Sequence, residues 1–357
     1  MKYVTYVGHN TDERKLGIQI LESDADTGAI RELDVVEIEN ATYMDISRDG
    51  RRLYTSCTMS VFNGRGRSGG LAAFHVKGTR LEKFDEKTTG FTAACHVSLS
   101  PNEKALVFAE YSNARVGYQE LDDKGGFSSV CMQVPLKGEC GPSKPRQDKP
   151  HAHCARVTPD GKYVCYVDLG LDAVKVFDFA NRRTAFRELP EKSFRTQPAG
   201  AGPRHIIFHP NGKLAFVVFE LGNLVASYRY ADGVFSQVAS LPLLPAKFSE
   251  FSKAAAIKLS ADGRRVFCSN RGHDSIAAFD LDPETGAMEP KAIMPLGGSF
   301  PRDFEFMPGE KFLLAGLKMD GVLRVYAYDR DACSLKPVQD LPGYHRPLYI
   351  RFAAQLG

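Results

Sequence analysis

Two histidines, His151 and His153, lie one residue apart in the stretch KPHAHCARVTPDG, just ahead of a Pro-Asp-Gly turn. In a β-strand, residues i and i+2 point to the same side, so both imidazoles can face one target. Imidazole titrates near neutral pH, which suits both proton transfer and metal binding. The pair therefore has three interpretations: a metal site, a catalytic base with a helper, or two polar residues on an ordinary strand.

Further polar and charged side chains lie at the ends of short apolar segments. A mixed set of cations, imidazoles and carboxylates is typical of a site for a small anionic molecule. Outside the histidine pair, the candidates are Asp168, Arg204, His205, Glu220, Asn270, Arg271, Arg302 and Lys318.

Three of these candidates also have a purely structural interpretation. Asp168 begins the stretch DLGLD and Glu220 begins ELGN, so either carboxylate could simply accept backbone N–H groups in a turn. Arg204 could brace a neighbouring element by pairing with a carboxylate. Glu220 follows the apolar segment LAFVVF, so we expect a shielded carboxylate with a raised pKa.

A metal site is the weaker interpretation of the histidines. Structural zinc usually has four protein ligands and catalytic zinc three, and His151, His153 and His205 are supported by no HExxH motif or cysteine pair. Calcium would require more converging carboxylates. We therefore predict neither a metal ion nor a cofactor.

A repeated unit of about fifty residues positions these side chains. In each unit an apolar segment leads into a tight turn, and a strand of aromatic and β-branched residues follows. Asp or Asn before Gly is a strong hairpin signal, because such turns require positive φ. The turns are SRDG at 47, SPNE at 100, TPDG at 158, HPNG at 209, SADG at 260 and MPGE at 307.

Four short strands per unit are typical of a β-propeller blade. Six turns give six blades, and the C-terminal RPLYIRF with the N-terminal KYVTYVG and GIQILE supplies a seventh. The sequence thus predicts an all-β, seven-bladed β-propeller that forms a single domain over residues 1–357, with one blade closed by both termini. No stretch has a helical periodicity long enough to compete.

Blade geometry predicts where the candidates meet. The first strand of a blade lines the central channel, and the second strand runs back antiparallel beside it. The start of the first strand and the end of the second therefore share one rim, where loops commonly build a binding site. The candidate residues occupy these two kinds of position, so we expect them to converge there.

Composition argues against several classes of partner. The net charge is +3, and Lys and Arg are scattered, so neither nucleic acid nor an anionic membrane is expected as a partner. The eight cysteines form no CxxC pair and several lie in apolar strands, which predicts buried thiols in a reducing compartment. We find no signal peptide or transmembrane segment and expect a cytoplasmic protein. The sequence does not indicate an oligomeric state.

Longer passages resemble a known family. PHAHCARVTPDGKYVCYVDLGLDAVKVF, GPRHIIFHPNGKLAFVVFELGN, NRGHDSIAAF and FPRDFEF are similar to the lactonase family of seven-bladed propellers. That family includes bacterial 6-phosphogluconolactonases and the fungal carboxymuconate lactonizing enzyme. Matched turn by turn, the resemblance implies catalytic roles for His153, Arg204, Glu220 and Arg271. It implies substrate binding by His151, because PHAH is typical of the phosphogluconolactonase branch.

The resemblance implies hydrolysis of a small anionic sugar lactone, 6-phospho-D-glucono-1,5-lactone. His153 or Glu220 would act as the base, and the arginines would stabilise negative charge. The remaining rim residues, Asp168, His205, Asn270, Arg302 and Lys318, would contact the substrate. Muconate-type lactonizing activity, a different lactone, and a non-catalytic propeller that binds a ligand or protein remain as alternatives. The chain has no tryptophan and no GH…WD repeats, which argues against a WD40 scaffold.

Overall fold

A computed structural model describes residues 1–11, 17–60, 66–343 and 346–355, and the regular secondary structure of these residues is almost entirely β-strand. A four-residue helix, α1 (Arg182–Ala185), is the one helical element in the described ranges. In those ranges, no helix is long and apolar enough to cross a membrane.

The strands follow one another in groups of four along the chain. In chain order they are β1 (Lys2–His9), β2 (Ile18–Asp24), β3 (Ile30–Val36), β4 (Met44–Ile46), β5 (Arg52–Ser60), β6 (Arg67–Lys77), β7 (Arg80–Thr88), β8 (His96–Leu99), β9 (Ala105–Glu110), β10 (Arg115–Leu121), β11 (Phe127–Pro135), β12 (Ala152–Val157), β13 (Tyr163–Asp168), β14 (Ala173–Asp178), β15 (Phe194–Arg195), β16 (Pro203–Phe208), β17 (Leu214–Phe219), β18 (Leu224–Ala231), β19 (Val234–Pro242), β20 (Lys253–Leu259), β21 (Arg265–Arg271), β22 (Ser275–Leu281), β23 (Met288–Pro295), β24 (Pro301–Phe306), β25 (Phe312–Leu317), β26 (Val322–Asp329), β27 (Ser334–Pro342) and β28 (Pro347–Gln355).

These strands form seven sheets of four strands each. Six sheets use consecutive strands, from β4–β7 through to β24–β27. The seventh has the order β28-β1-β2-β3, so the C-terminal strand pairs antiparallel with the N-terminal one. The fold is therefore a seven-bladed β-propeller with one blade built from both termini, and both predictions are confirmed.

Contacts group the chain into two compact units. The first unit contains residues 1–97, 121–128 and 295–357, and the second contains residues 98–120 and 129–294. That the whole chain forms a single domain stays a prediction. The second unit holds β12 to β22, which carry most of the candidate site residues.

The six predicted turns share one backbone hydrogen bond. In each, the fourth residue donates its N–H to the carbonyl of the first, as in Gly161 to Thr158. That fourth residue has positive φ, which glycine adopts without strain. Four turns place glycine there, whereas Glu103 and Glu310 adopt φ values of 54°. The turn chemistry thus fixes the hairpin between the first and second strands.

The strand β17 shows why the second unit is rigid near the candidate site. All six of its residues, LAFVVF, are buried. Alternate side chains pack into two different hydrophobic clusters, because successive residues of a strand face opposite sides of the sheet. Full burial of one such large apolar side chain contributes about 1.5–3 kcal/mol. The buried strand therefore holds the backbone of the next residue, Glu220, in a fixed position.

All eight cysteines are free thiols. Five are buried and three are partly exposed. Burial raises the pKa of the Cys57 thiol to about 12, so this sulfur stays protonated near neutral pH.

Candidate active site

The start of each first strand lies opposite the end of the second strand, as blade geometry predicts. In the second unit, Ala152 pairs with Asp168, Pro203 with Phe219, and Lys253 with Arg271. Candidate residues from these two kinds of position therefore meet within each blade.

The first strands β12 and β16 each carry a β-bulge at this point. The ladder passes from Ala152 directly to Cys154 and from Pro203 directly to His205, which leaves His153 and Arg204 as the extra residues. A bulge bends the strand locally and re-aims the extra side chain, and bulges are frequent beside active sites. The bulge thus separates His153 from the regular alternation that would place it beside His151.

Glu220 is the centre of the cluster in the second unit. Its Oε1 accepts a hydrogen bond from Nη2 of Arg146 at 2.8 Å. Its Oε2 lies 3.1 Å from Nε of Arg204 and 3.0 Å from Nη2 of Arg271. Nε2 of His153 lies 3.9 Å from the same oxygen. One carboxylate, 3% exposed, therefore joins three guanidinium groups and one imidazole.

The ionisation of Glu220 corrects the expectation from sequence. Burial alone raises the pKa of this carboxyl, as the apolar segment before it suggests. The charges of Arg271, Arg204, His153 and Arg146 outweigh burial and hold the pKa well below its usual value. The expected raised pKa is therefore wrong, because the sequence shows the apolar neighbours but not the guanidinium groups that fold around the carboxylate. An ionised Glu220 of this kind is a weak base.

Arg204 and Arg271 are almost completely buried, at 3% and 4% exposure. Nη1 of Arg204 donates to the Ala255 carbonyl at 2.7 Å, and Nη2 of Arg271 donates to the Ala254 carbonyl at 2.8 Å. Burial lowers the pKa of Arg271 to about 10, and Glu220 opposes that change, so the group stays charged near neutral pH. Both arginines are held by main-chain carbonyls and by Glu220, and both fix the orientation of that carboxylate.

Aromatic rings surround His153 on its other sides. The His153 ring contacts the Tyr111 ring edge-on, with centroids 5.5 Å apart, and the His205 ring at 5.3 Å. Nη1 of Arg204 lies 3.0 Å from Nε2 of His205. His205, a predicted substrate-binding residue, is partly exposed and belongs to the same cluster. These contacts hold the His153 ring in one orientation beside Glu220.

His151 has a different environment from His153. Its ring stacks on Tyr111, with centroids 4.3 Å apart and planes inclined by 16°. Nδ1 lies 3.2 Å from the Tyr111 carbonyl oxygen, and Nε2 lies 2.9 Å from the Asp148 carboxylate. Both neighbours are acceptors, so both hydrogen bonds form together only in the doubly protonated ring. These contacts make His151 a support for Tyr111, and its contact with substrate stays a prediction.

Asp168 has a structural role. It is 0% exposed, and its Oδ1 accepts the N–H groups of His151 and Leu171, both at 2.8 Å. Burial raises the pKa of Asp168 to about 6, although the backbone hydrogen bonds act against that rise. The carboxyl thereby ties the end of β13 to the start of β12, and direct substrate binding by Asp168 has no support from its contacts.

The other three candidates lie apart from these contacts or in the first unit. Asn270 is 0% exposed and donates to the Leu243 carbonyl at 3.0 Å and to Ser275 Oγ at 3.2 Å, which is a structural role. Arg302 is the extra residue of a bulge between Pro301 and Asp303 in the first unit. Nζ of Lys318 lies 5.9 Å from the centre of the Phe300 ring, also in the first unit. Substrate binding by Asn270, Arg302 and Lys318 stays a prediction.

Sequence reasoning missed three residues of the cluster: Arg146, Tyr111 and Lys253. Arg146 lies in the loop GPSKPRQDKP, which is rich in Pro and basic residues. The next residue, Gln147, donates to the Leu169 carbonyl at 2.8 Å. Nη2 of Arg146 also donates to the Tyr111 hydroxyl at 3.0 Å. No motif indicates these residues, but a basic loop directly before PHAH was a usable signal.

The donor set gives no metal site. Throughout the described ranges, no group of three or more His, Cys, Asp or Glu side chains is placed to hold a metal ion. Glu220 is surrounded by cations, which is unfavourable for a further positive ion.

Seven four-stranded blades define a β-propeller. Its acid–base groups form a buried His–Glu–Arg cluster at adjoining strand ends. Comparison with known families gives the same class. The chain belongs to the lactonase family of seven-bladed β-propellers, whose family model matches residues 4–352.

Individual relatives are similar over nearly the whole chain. A 6-phosphogluconolactonase of Bacillus subtilis is 31% identical over 360 residues, covering 99% of both chains. Among solved structures, a periplasmic gluconolactonase of Pseudomonas aeruginosa matches with a TM-score of 0.90 and 28% identity, covering 99% of this chain and all of that one. A putative 6-phosphogluconolactonase of Bacteroides fragilis matches with a TM-score of 0.87 and 27% identity, covering 99% and 98% of the two chains.

Proposed function

We propose that the protein hydrolyses a sugar lactone, and that 6-phospho-D-glucono-1,5-lactone is its substrate. One observation carries this proposal: His153 lies beside a buried carboxylate that three arginines keep ionised. Relatives of full length are a 6-phosphogluconolactonase and a gluconolactonase, which supports the same reaction class.

In the proposed reaction, His153 is the base. Its imidazole takes a proton from water, and the resulting hydroxide forms a bond to the lactone carbonyl carbon. The tetrahedral intermediate collapses, the bond from that carbon to the ring oxygen breaks, and the imidazolium returns its proton to the ring oxygen. One water is consumed, and one carboxyl and one hydroxyl group are formed.

Glu220 and the arginines assist this reaction through charge. The Glu220 carboxylate, 3.9 Å from Nε2 of His153, stabilises the imidazolium that forms when water loses its proton. Its low pKa keeps it ionised, so it supports His153 and does not itself act as the base. The surrounding guanidinium groups favour the negative charge that develops on the carbonyl oxygen.

A substrate panel tests the reaction class. Purified protein is assayed with 6-phosphogluconolactone, gluconolactone and a muconolactone, each against its spontaneous hydrolysis. We expect the largest acceleration for the phosphorylated lactone. Turnover of the muconolactone alone would favour lactonizing activity, and saturable binding without turnover would favour a non-catalytic propeller.

We also propose that the protein works in the cytoplasm without a nucleic-acid or membrane partner. The small net charge and the free, mostly buried thiols support this location. The Pseudomonas neighbour is periplasmic, so the location is tested separately by fractionation of the native host. Recovery in the periplasmic fraction would contradict it.

A further inference from the structure

Arg146 is a guanidinium group that the protein uses only in part. Both of its contacts, to the Tyr111 hydroxyl and to Oε1 of Glu220, are made by the single nitrogen Nη2. Within the described parts of the chain, Nη1 and Nε make no hydrogen bond. The side chain is 32% exposed, whereas Arg204 and Arg271 are 3% and 5% exposed. Arg146 therefore presents two N–H-bearing nitrogens to solvent beside a buried carboxylate.

Lys253 is a second cation of the cluster, and it has no bound carboxylate among the described residues. Its Nζ lies 5.1 Å from the centre of the Phe251 ring, and it forms no ion pair with any described residue. Its backbone carbonyl accepts from Nε of Arg271 at 3.3 Å, which fixes the residue beside the cluster. Burial, together with the charges of Arg146 and Arg271, lowers the pKa of Lys253, and only Glu220 acts in the opposite direction. Lys253 thus lies next to Arg271, which itself contacts Glu220.

The local charge balance is strongly positive. In the described part of the second unit, Arg146, Arg204 and Arg271 contact the one carboxylate of Glu220, and Lys253 contacts Arg271. Partly buried like charges repel one another in a medium that screens poorly, so such an arrangement is stabilised by an anion. The two buried arginines are already occupied by Glu220 and by carbonyls. An incoming anion can therefore reach only the exposed faces of Arg146 and Lys253.

We propose that Arg146 and Lys253 form the subsite for the phosphate of the substrate and make the enzyme selective for a phosphorylated sugar lactone. This inference rests on the proposed function. A planar guanidinium with two adjacent free nitrogens can bind two phosphate oxygens at once, and the ammonium adds a point charge. A phosphate monoester carries about −1.5 to −2 charges near neutral pH, which matches one partly used guanidinium group and one ammonium group. An unphosphorylated lactone leaves Nη1 and Nε of Arg146 and the ammonium group of Lys253 without an anion to bind.

Selectivity kinetics test the subsite. For Arg146→Gln and Lys253→Met, kcat/KM is measured with 6-phosphogluconolactone and with gluconolactone. We expect the ratio of the two values to fall by about tenfold to hundredfold in each variant, as for the loss of charge-assisted hydrogen bonds. Lys253→Arg should recover most of that ratio. Lys213→Met, at an exposed turn lysine, is the matched control and should leave the ratio unchanged.

Ligand binding separates this inference from the proposed function. Calorimetry with 6-phosphogluconate and with gluconate measures the subsite even if no lactone is turned over. We expect the phosphorylated acid to bind more tightly, and both variants to lose that preference. An active wild type whose ratio and binding preference survive both substitutions would overturn the subsite. An inactive wild type that still prefers 6-phosphogluconate, and loses that preference in the variants, would support the subsite and contradict the hydrolysis.

Discussion

Glu220 shows how a buried carboxylate can stay charged. Removing such a group from water is costly, and here three guanidinium groups and one imidazole compensate for that cost. The arrangement fixes the orientation of Glu220 beside His153, the residue proposed as the base. The residue types at these positions were predicted from the sequence. The network around them was not, because Arg146 lies 74 positions from Glu220 and approaches it only through folding.

Glu220→Gln should destabilise the protein. The substitution keeps the shape of the side chain but leaves buried guanidinium groups without their counter-charge, at a cost of about 3–5 kcal/mol. Urea unfolding measures the loss, and Glu284→Gln, at an exposed glutamate, is the control. Equal stabilities for both variants would contradict the role given to Glu220 in the cluster.

Asp168 predicts a pH dependence of stability with a definite sign. Its carboxyl pKa is raised in the folded protein from 3.8 to about 6, so the folded state binds the proton more tightly than the unfolded state. The free energy of unfolding therefore falls as pH rises through this window, by about 3 kcal/mol relative to a side chain that does not titrate. Asp168→Asn removes the titration and keeps the oxygen that accepts from His151 and Leu171.

The measurement for Asp168 is urea unfolding of wild type and Asp168→Asn between about pH 4 and pH 7. The stability of the variant relative to wild type should increase with pH. Asp148→Asn is the matched control, because the hydrogen bond from His151 lowers the pKa of Asp148 and gives the opposite sign. A relative stability of Asp168→Asn that is flat or decreases with pH would contradict the raised pKa.

At the scale of elements, bulges and close backbone approaches position the site. The bulges at His153 and Arg204 occur in PHAH and GPRH, and nothing in those strings distinguishes a bulge from regular alternation. The sequence thus predicted that strand starts and strand ends would meet but placed His151 and His153 side by side. The structure separates them, because the ladder skips His153.

Gly170 is a close approach that a side chain would prevent. A Cβ there would lie 1.9 Å from the Lys149 carbonyl oxygen and 3.0 Å from the His151 nitrogen. Gly170→Ala should therefore displace the segment that leads into β12, lower stability by about 1–3 kcal/mol and reduce kcat. Thermal unfolding and lactone hydrolysis measure the two effects.

The control for Gly170 is Gly161→Ala. Gly161 has φ of 71° and no atom within 4 Å of a built Cβ, so substitution there strains the turn without moving the site. We expect some loss of stability and an unchanged kcat. Full activity in Gly170→Ala would show that the close approach of Gly170 to the Lys149 carbonyl does not position the site.

At the scale of the whole molecule, the repeat determined the fold and could be read from the sequence. Six turns of known chemistry and matching strands predicted seven four-stranded blades, and the terminal strands β28 and β1 pair as expected. The lactonase family model, which matches residues 4–352, agrees with this seven-bladed fold. The contact of Arg146 with Glu220 could not be predicted, because the irregular loop that carries Arg146 has no periodicity from which a contact follows.

Removing β28 should destroy the stability of the blade built from both termini. A chain that ends at residue 343 leaves β1 as an open edge and removes the buried residues Leu348, Tyr349 and Ile350. We expect the shortened chain to aggregate, as measured by gel filtration, or to show no cooperative unfolding transition in calorimetry. A chain that ends at residue 355 is the control and should behave as wild type. A monomeric, cooperatively folding short chain would contradict the closure.

The rate of acid release from 6-phosphogluconolactone decides whether this cluster is an active site. Wild type, His153→Ala and a protein-free blank are compared under identical conditions, since the lactone also opens by itself in water. We expect a clear acceleration by wild type, and a loss of about 10²–10⁴-fold in His153→Ala, whose circular dichroism should match wild type. A wild-type rate equal to the blank, or a folded His153→Ala variant as fast as wild type, would contradict hydrolysis by His153.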